Sequence, residues 1–217
     1  TTGQIAAINS DQLDGLTTAG VVALTSAQVA TLKSDQLTSL NTDQLRAIET
    51  GDIKAVTTTA LRALDTDQVN ALTSNQLQSL TSAQISSLTS APQVSALSTG
   101  NLNVLTTDQL SKFTTAQVKA LTTEQINNLT TGNLNALGTA QFAALNSDQI
   151  AALTTAQASK LETADLRSIT TGALAGLNSD HVKALSTDEV GALTTAQVAA
   201  ISSDQLDGLT TAGVVAL

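Results

Sequence analysis

Large apolar residues recur along the chain at alternating spacings of three and five, from Ile5 and Ile8 near the start to Val214 and Leu217 at the end. The period is therefore eight residues, and the sequence divides into 26 repeats of eight residues and one repeat of nine. With each repeat numbered 1 to 8, positions 5 and 8 are always apolar, position 2 is always Thr or Ser, and position 4 is most often Gln. This periodicity indicates a repeat architecture with a shared apolar interior.

Each repeat begins with a helix-start signal, which is clearest at Thr106 and Gln109. A Ser or Thr followed three residues later by Gln is a capping box, in which each side chain binds a free backbone N–H of the other residue. Leu105 and Leu110 flank this box as a hydrophobic staple, which fixes the direction in which the chain enters the helix. We expect each repeat to form a helix of about six residues followed by a tight turn.

The helix cap is predicted at position 1 or at position 2. Position 1 gives the better box, as in Thr114 with Gln117. Position 2 is the stricter Thr/Ser column, which could instead record hydrogen bonds to a neighbouring turn of the chain. So short a helix is not stable alone in water, so stacking of repeats must stabilise it, with position 7 kept small for close approach. The predicted core of the central repeats is Leu105, Leu110, Phe113, Val118, Leu121, Ile126 and Leu129.

These features predict an all-α solenoid that runs through residues 1–217 as one array. A single continuous helix is excluded because each eight-residue repeat would rotate the apolar stripe by about 80°. A β-solenoid is the alternative, since some β-solenoids place neighbouring apolar positions on opposite faces. The three-residue spacing of the apolar pair, the capping boxes and the acidic residues at position 3 favour helices.

The single nine-residue repeat, Thr89 to Leu97, contains the only proline of the chain. Ser90 and Gln93 restore the spacing of a capping box, so Ser90 is the predicted cap. Pro92 then falls in the first helical turn, where its missing N–H has little cost.

A longer repeat lies above the eight-residue period. Residues 8–24 and 201–217 are identical except for Asn9, which corresponds to Ser202, and the offset between them is 193 residues. We expect the chain to be slightly more than one period of a longer tandem array. The predicted assembly ends are Thr1, Ile5, Ile8, Val214 and Leu217.

Composition narrows the functional classes. The net charge of −9 argues against nucleic acid, whose phosphates require clustered Lys and Arg. No apolar run approaches the length of a membrane span, so no membrane-spanning segment is expected. Position 6 varies freely and carries cations such as Arg46, as expected of a solvent-facing site. Neutral Thr, Ser, Gln and Asn are expected to cover the exterior.

Residues with catalytic or metal-binding chemistry are few. His181 is the only histidine and stands at position 4, where a surface or capping role is expected rather than that of a base or metal ligand. A usual zinc site needs more His or Cys than the chain has. The acids at position 3 fit helix-start electrostatics better than a calcium loop. We therefore expect no catalytic residue, no metal, no cofactor and no enzymatic activity.

The tandem Leu-Thr-Thr-(Asp/Ala)-Gln-(Val/Leu/Ile)-x-Ala-Leu repeats resemble those of very large, low-complexity secreted or surface proteins of bacteria. The resemblance implies an extracellular or cell-surface location and a role in a filament or matrix. The Leu-Thr-x-(Asp/Glu)-Gln-Val start also resembles the helical repeats of plant-pathogen DNA-binding effectors, but the period and the acidic charge depart from them.

The sequence therefore predicts a structural protein that forms a filament, stalk or spacer by head-to-tail stacking with copies of itself. The alternative is a surface-recognition module, such as an adhesin or a glycan- or ice-binding protein, that uses a regular Thr/Ser-rich face.

Overall fold

The computed structural model describes the backbone of residues 1–217 and the side chains of all residues except 90 and 91. Over this described chain every repeat forms one short helix and no strand is present. The predicted all-α solenoid is confirmed, and the β-solenoid alternative is not supported. The chain divides into two compact bodies, Thr1–Lys112 and Phe113–Leu217.

The first body contains twelve α-helices, one 3-10 helix at Ile53–Ala55 and one π-helix at Ser90–Val94. Its α-helices are α1 Thr2–Ala7, α2 Ser10–Asp14, α3 Thr18–Val22, α4 Ser26–Val29, α5 Ser34–Ser39, α6 Thr42–Ala47, α7 Thr58–Ala63, α8 Thr66–Ala71, α9 Ser74–Ser79, α10 Ser82–Ser87, α11 Thr99–Val104 and α12 Thr107–Ser111.

The second body is built in the same way from thirteen α-helices of four to six residues. They are α13 Thr115–Ala120, α14 Thr123–Asn128, α15 Thr131–Asn135, α16 Thr139–Phe142, α17 Ser147–Ala151, α18 Thr155–Ala158, α19 Thr163–Ser168, α20 Thr171–Leu174, α21 Ser179–Ala184, α22 Thr187–Gly191, α23 Thr195–Ala200, α24 Ser203–Leu206 and α25 Thr211–Ala216.

The helix caps lie at position 1. Thr106 has extended backbone angles, its Oγ1 accepts from the N–H of Gln109, and its own N–H donates to Gln109 Oε1. Position 2 is the first helical residue. Its hydroxyl donates to another repeat at Ser26, which reaches Asp52 Oδ1, and at Ser34, which reaches the Thr59 carbonyl at 3.4 Å. Position 1 therefore supplies the side-chain cap in most α-helices, and among the described side chains bonds from position 2 to another turn are seen at Ser26 and Ser34.

Within each body, a helix packs on the helix three repeats further along. In the first body α2 packs on α5 and α3 on α6, and in the second body α16 packs on α19 and α22 on α25. The apolar side chains of positions 5 and 8 fill the interior, and Leu77, Ile85, Val118 and Leu134 have no solvent exposure. The stacking that the short helices require is thus provided by the solenoid.

Position 7 is the point of closest approach between turns. A Cβ atom added to Gly176 would lie 2.0 Å from the carbonyl oxygen of Ser147, and one added to Gly208 would lie 2.1 Å from that of Ser179. Both carbonyls belong to position 2 of the repeat three earlier. Glycine is therefore required at these two sites by the neighbouring backbone.

The nine-residue repeat differs from its predicted start. The N–H of Thr89 donates to Gln93 Oε1 at 2.8 Å, and the N–H of Val94 donates to the Thr89 carbonyl at 3.0 Å, five residues back. A widened π-turn absorbs the extra residue and keeps the contact between the Thr89 N–H and Gln93, while Thr89 Oγ1 is buried without a hydrogen-bond partner. The side chain of Ser90 lies outside the described residues.

Candidate functional site

The glutamine at position 4 is the most repeated polar group of the interior. In α9 the Oε1 of Gln76 accepts from the N–H of Thr73 at 2.9 Å, which completes the capping box. The Gln76 side chain is 1% exposed. The expectation that Gln covers the exterior is wrong for this column, since most of these side chains are buried between turns.

The other end of the same amide joins two turns of the solenoid. Gln76 Nε2 donates to the carbonyl of Leu45 at 2.9 Å and to that of Ile48 at 2.8 Å, which are positions 5 and 8 of the repeat four earlier. One amide therefore caps the start of its own helix and the end of another. The same paired contact is made by Gln36, Gln84, Gln93, Gln109, Gln149, Gln157, Gln197 and Gln205.

These contacts define the number of repeats in one turn of the solenoid within each body. Helices pack on the helix three repeats away, whereas the amides reach the repeat four away. One turn therefore contains more than three and fewer than four repeats. No second period marks this number in the sequence.

Position 6 supplies a second set of bonds between turns. Arg46 is exposed, as predicted for this position, yet its Nε donates to the carbonyl of Ala71 at 3.0 Å. The bonded carbonyl is at position 7 of the repeat three further along, and the same contact is made by Asn70, Gln78, Ser86, Asn127 and Asn135. Position 6 is thus solvent-facing but not free of contacts.

Two four-repeat segments differ sharply at position 4. Residues 65–97, called here the amide segment, have Gln68, Gln76, Gln84 and Gln93, and each donates to a repeat within residues 33–64. Residues 162–193, called the titratable segment, have Asp165, Ala173, His181 and Glu189 at the same position. A whole segment therefore stacks on residues 130–161 without a glutamine amide.

His181 reproduces the glutamine contacts in part. Its Nδ1 accepts from the N–H of Asn178 at 3.2 Å, and its Nε2 lies 2.6 Å from the carbonyl of Leu153. These roles require a neutral ring with its proton on Nε2. The side chain is 4% exposed, so the predicted capping role is present and the surface role is not.

The two acids at position 4 of the titratable segment, Asp165 and Glu189, are buried but do not reproduce the contacts of the glutamine amide. Glu189 Oε2 accepts from the N–H of Ser186 at 2.6 Å, while its Oε1 is buried with no hydrogen-bond partner. Asp165 is 3% exposed, and burial, together with the charge of Glu162, raises its pKa to about 6. Asp52 in the first body differs, because its Oδ1 accepts from the Ser26 hydroxyl.

The two ends of the described chain expose complementary groups. Gln4, Gln12 and Gln28 use Oε1 in their capping boxes, and the repeats that would receive their Nε2 donors, four earlier, are not among the described residues. The amides that would bind the carbonyls of residues 186–217 are likewise not among the described residues. There the apolar side chains become exposed, 45% at Leu206 and 57% at Val214.

The predicted end, cap and core residues differ in exposure. Thr1 is exposed, Ile5 and Ile8 are half-buried, and Leu217 is 52% exposed. Thr114 and Gln117 form a capping box in α13. The residues predicted as the central core are all 4% exposed or less: Leu105, Leu110, Phe113, Val118, Leu121, Ile126 and Leu129.

No group of three or more His, Asp or Glu able to hold a metal ion occurs among the described residues. A surface recess of about 290 Å³ lies between residues 175–179 and 202–205 and is lined by Asn178, Ser202, Asp204 and Gln205 among others. Gln205 Nε2 is already bonded to the carbonyls of Leu174 and Leu177. No helix over the described chain is long and apolar enough to cross a membrane.

Sequence reasoning missed the bonds that the position-4 amide makes between turns. A capping box accepts Glu as readily as Gln. Seventeen repeats nevertheless have Gln at position 4 and only one, that of Glu189, has Glu. This preference was the available signal that the amide N–H itself is needed.

The family model of the ALTTAQ repeat matches the chain six times, at residues 5–42, 45–82, 94–131, 128–161, 158–195 and 190–217. No curated protein matches the sequence. The matches span nearly the whole chain, and the repeated segment contains the cap and the glutamine whose contacts are described above. The chain belongs to the ALTTAQ repeat family.

Proposed function

We propose that the chain is a structural repeat protein whose arrays extend end to end, head-to-tail, as a filament, stalk or spacer outside the cell. The observation that carries the proposal is the repeated contact between turns, in which a position-4 glutamine donates to two carbonyls of the repeat four earlier. Residues 1–32 offer side-chain N–H donors, and residues 186–217 offer backbone carbonyls and exposed apolar side chains.

The contact that joins turns inside the array can also join one copy of the chain to the next. In the interior, a glutamine Nε2 binds the two carbonyls at positions 5 and 8 of the repeat four earlier. A second copy placed on residues 186–217 in the same register would bring Gln4, Gln12 and Gln28 to such carbonyls. It would also cover Val214 and Leu217, and burial of apolar surface is the main favourable term in association. Association of this heterologous kind forms open filaments when it does not close into a ring.

The surface chemistry supports a structural role outside the cell. The sequence resembles repeats of very large secreted or surface proteins of bacteria, and its charged fraction is only 12%. Binding to a cell surface or matrix is the further partner that this resemblance suggests.

Self-association of the purified chain tests the proposal. We expect sedimentation velocity to show species that grow with concentration, and negative-stain microscopy to show linear particles. Val214→Asp places a charge in the proposed contact and should weaken association by about tenfold or more. Gln12→Glu keeps the capping acceptor but removes the donor, and should weaken it by a smaller factor.

Ala116→Asp is the matched control. Ala116 is exposed in α13 and lies outside residues 1–32 and 186–217. This variant should associate like the parent chain. A monomer at every concentration, or equal effects of Val214→Asp and Ala116→Asp, would reject head-to-tail stacking.

A second candidate function is recognition of a regular surface such as ice or a glycan. In the second body the Thr or Ser at position 2 is exposed in all thirteen repeats, from Thr115 to Thr211. Thermal hysteresis or glycan binding that disappears when alternate members of this column are changed to Val would support it, and binding that survives the change would reject it.

A further inference from the structure

The titratable segment (residues 162–193) is held on residues 130–161 by groups that can gain or lose a proton. Where the amide segment has four neutral amides, the titratable segment has two acids, one imidazole and one alanine. Of these side chains only His181 is seen to make the contact of the amides, since its Nε2 lies 2.6 Å from the carbonyl of Leu153 in the repeat four earlier.

Glu189 shows the consequence most directly. Its Oε2 replaces the capping oxygen of glutamine and accepts from the N–H of Ser186. Its Oε1 replaces the amide nitrogen, is buried and has no partner. The register of the neighbouring glutamines places this atom opposite the carbonyls of Ala158 and Leu161, which are acceptors. An ionised carboxylate has no donor to offer them, whereas a protonated carboxyl has one O–H.

Asp165 occupies the corresponding place in α19, opposite the repeat that contains Leu134 and Leu137. It is 3% exposed, and an ionised carboxylate buried there has no N–H to replace the glutamine donor. Burial disfavours the charged form of a carboxyl, and its raised pKa of about 6 has this cause first and the neighbouring charge of Glu162 second.

We propose that the contact between residues 162–193 and residues 130–161 is a proton-operated latch, which closes when Asp165 and Glu189 are protonated and loosens when they ionise. The closed latch uses the two carboxyl O–H groups where other turns of the solenoid use glutamine N–H groups.

Among the described residues, the charged side chains on the helices around the latch do not form ion pairs with Asp165 or Glu189. Helix α19 carries Arg167 and packs on α16, which has no charged residue, and on α22, which carries Asp188 and Glu189. Helix α22 also packs on α25, which has no charged residue. The repeat four earlier, which faces Glu189, carries the exposed Lys160. The charge of Glu162 beside Asp165 favours the protonated form of that carboxyl.

His181 is the third polar side chain at position 4 of the segment. Its Nδ1 accepts from the N–H of Asn178, and its Nε2 lies 2.6 Å from the carbonyl of Leu153. Helix α21 also carries Asp180 and Lys183 and packs on α18, which has no charged residue, and on α24, which carries Asp204. The repeat of Leu153 carries Asp148.

The sign of the pH effect follows from linkage. A carboxyl whose pKa is higher in the folded state contributes stability at low pH, and this stability is lost as the pH rises to and through the folded value. For a pKa raised from 3.8 to about 6, the opening equilibrium changes about tenfold between about pH 5 and about pH 7.5.

Hydrogen exchange of the whole chain measures the latch. With rates corrected for intrinsic exchange, protection of residues 162–193 relative to residues 65–97 should be about tenfold higher at about pH 5 than at about pH 7.5. The double variant Asp165→Asn with Glu189→Gln should be well protected at both pH values and should lose this ratio.

Two further variants make the result decisive. Asp188→Asn removes an exposed acid beside Glu189 and should leave the ratio unchanged. Gln76→Glu places the same acid in the amide segment and should introduce acid-dependent protection there. A ratio that does not change with pH, that falls on acidification, or that responds to Asp188→Asn as it does to Glu189→Gln would overturn the proposal.

Discussion

The amide segment and the titratable segment share one repeat and differ in what holds each to the turn below. Both form short helices with buried apolar pairs, from α8 to α10 in one and from α19 to α22 in the other, and of these only α19 lacks a side-chain cap. In the amide segment every position-4 side chain donates to carbonyls of an earlier repeat. In the titratable segment only His181 has such a bond.

The difference shows that helix formation and turn-to-turn docking are separable in this fold. Helix α20 has Ala173 at position 4, yet its start is capped because Thr170 Oγ1 accepts from the N–H of Ala173. The cap needs only position 1, and the apolar pair supplies the burial. The amide adds bonds between turns that are not needed to form the helix itself. Position 4 can therefore carry other side chains, such as the acids and the histidine of the titratable segment.

Removal of one amide from the amide segment should have the largest effect. Gln76→Ala removes the acceptor of the Thr73 N–H and the amide donor of the Leu45 and Ile48 carbonyls, of which the Leu45 carbonyl keeps only its bond from the N–H of Ile48. At about 1 kcal/mol for each bond, and with the lost packing added, we expect a cost of about 3–4 kcal/mol in chemical denaturation.

The control for this variant lies two residues along the same helix. Gln78→Ala removes one exposed bond to the Val104 carbonyl and should cost about 0.5–1 kcal/mol. Equal costs for Gln76→Ala and Gln78→Ala would mean that the buried amide has no special role.

A change at the close contact of the titratable segment should have the next largest effect. Gly176→Ala brings a Cβ atom to within 2.0 Å of the Ser147 carbonyl oxygen, so the two turns must separate. We expect a cost of about 2–3 kcal/mol in the same measurement.

Gly172→Ala tests whether that cost is steric. Gly172 lies in the same repeat with nothing within 4 Å of an added Cβ, so the variant should be more stable by about 0.5–1 kcal/mol through helix propensity. Destabilisation by both changes would place the cause in the repeat as a whole and not in the contact with Ser147.

Introduction of the missing amide should have the smallest effect. Ala173→Gln would offer donors to the carbonyls of Phe142 and Leu145 and should stabilise the chain by about 1 kcal/mol. The exposed Ala164→Gln in the same segment is the control and should be close to neutral. Loss of stability specific to Ala173→Gln would show that the titratable segment stacks too closely for an amide.

Local features could be predicted from sequence because they depend on neighbours within one repeat. Thr106 and Gln109 define the cap through a three-residue spacing, and Leu110 and Phe113 define the buried pair by their fixed columns. The partners of Gln76 lie 28 and 31 residues away, and with identical columns in every repeat no residue type distinguishes one distant repeat from another.

The repeat that contains Pro92 is a second case in which a contact with a distant repeat could not be predicted from sequence. A three-residue spacing favoured Ser90 as the cap, but the bonds of Gln93 to Leu61 and Leu64 hold the glutamine in place, and the turn widens to Thr89. Gln93 thus makes the same contacts with a distant repeat as the other glutamines, in spite of the extra residue. Sequence alone shows the local preference but not the competing contact.

The widened turn also has a consequence for how such chains can change in length. Gln109, in the second repeat after Pro92, still binds position 5 and position 8 carbonyls of the repeat four earlier, although the separations in the chain are one residue longer. A single inserted amino acid is confined to one helix and does not shift the phase of the later repeats. Duplication of whole repeats keeps the phase automatically, so genes of this family can lengthen in steps of eight codons and survive an occasional step of one.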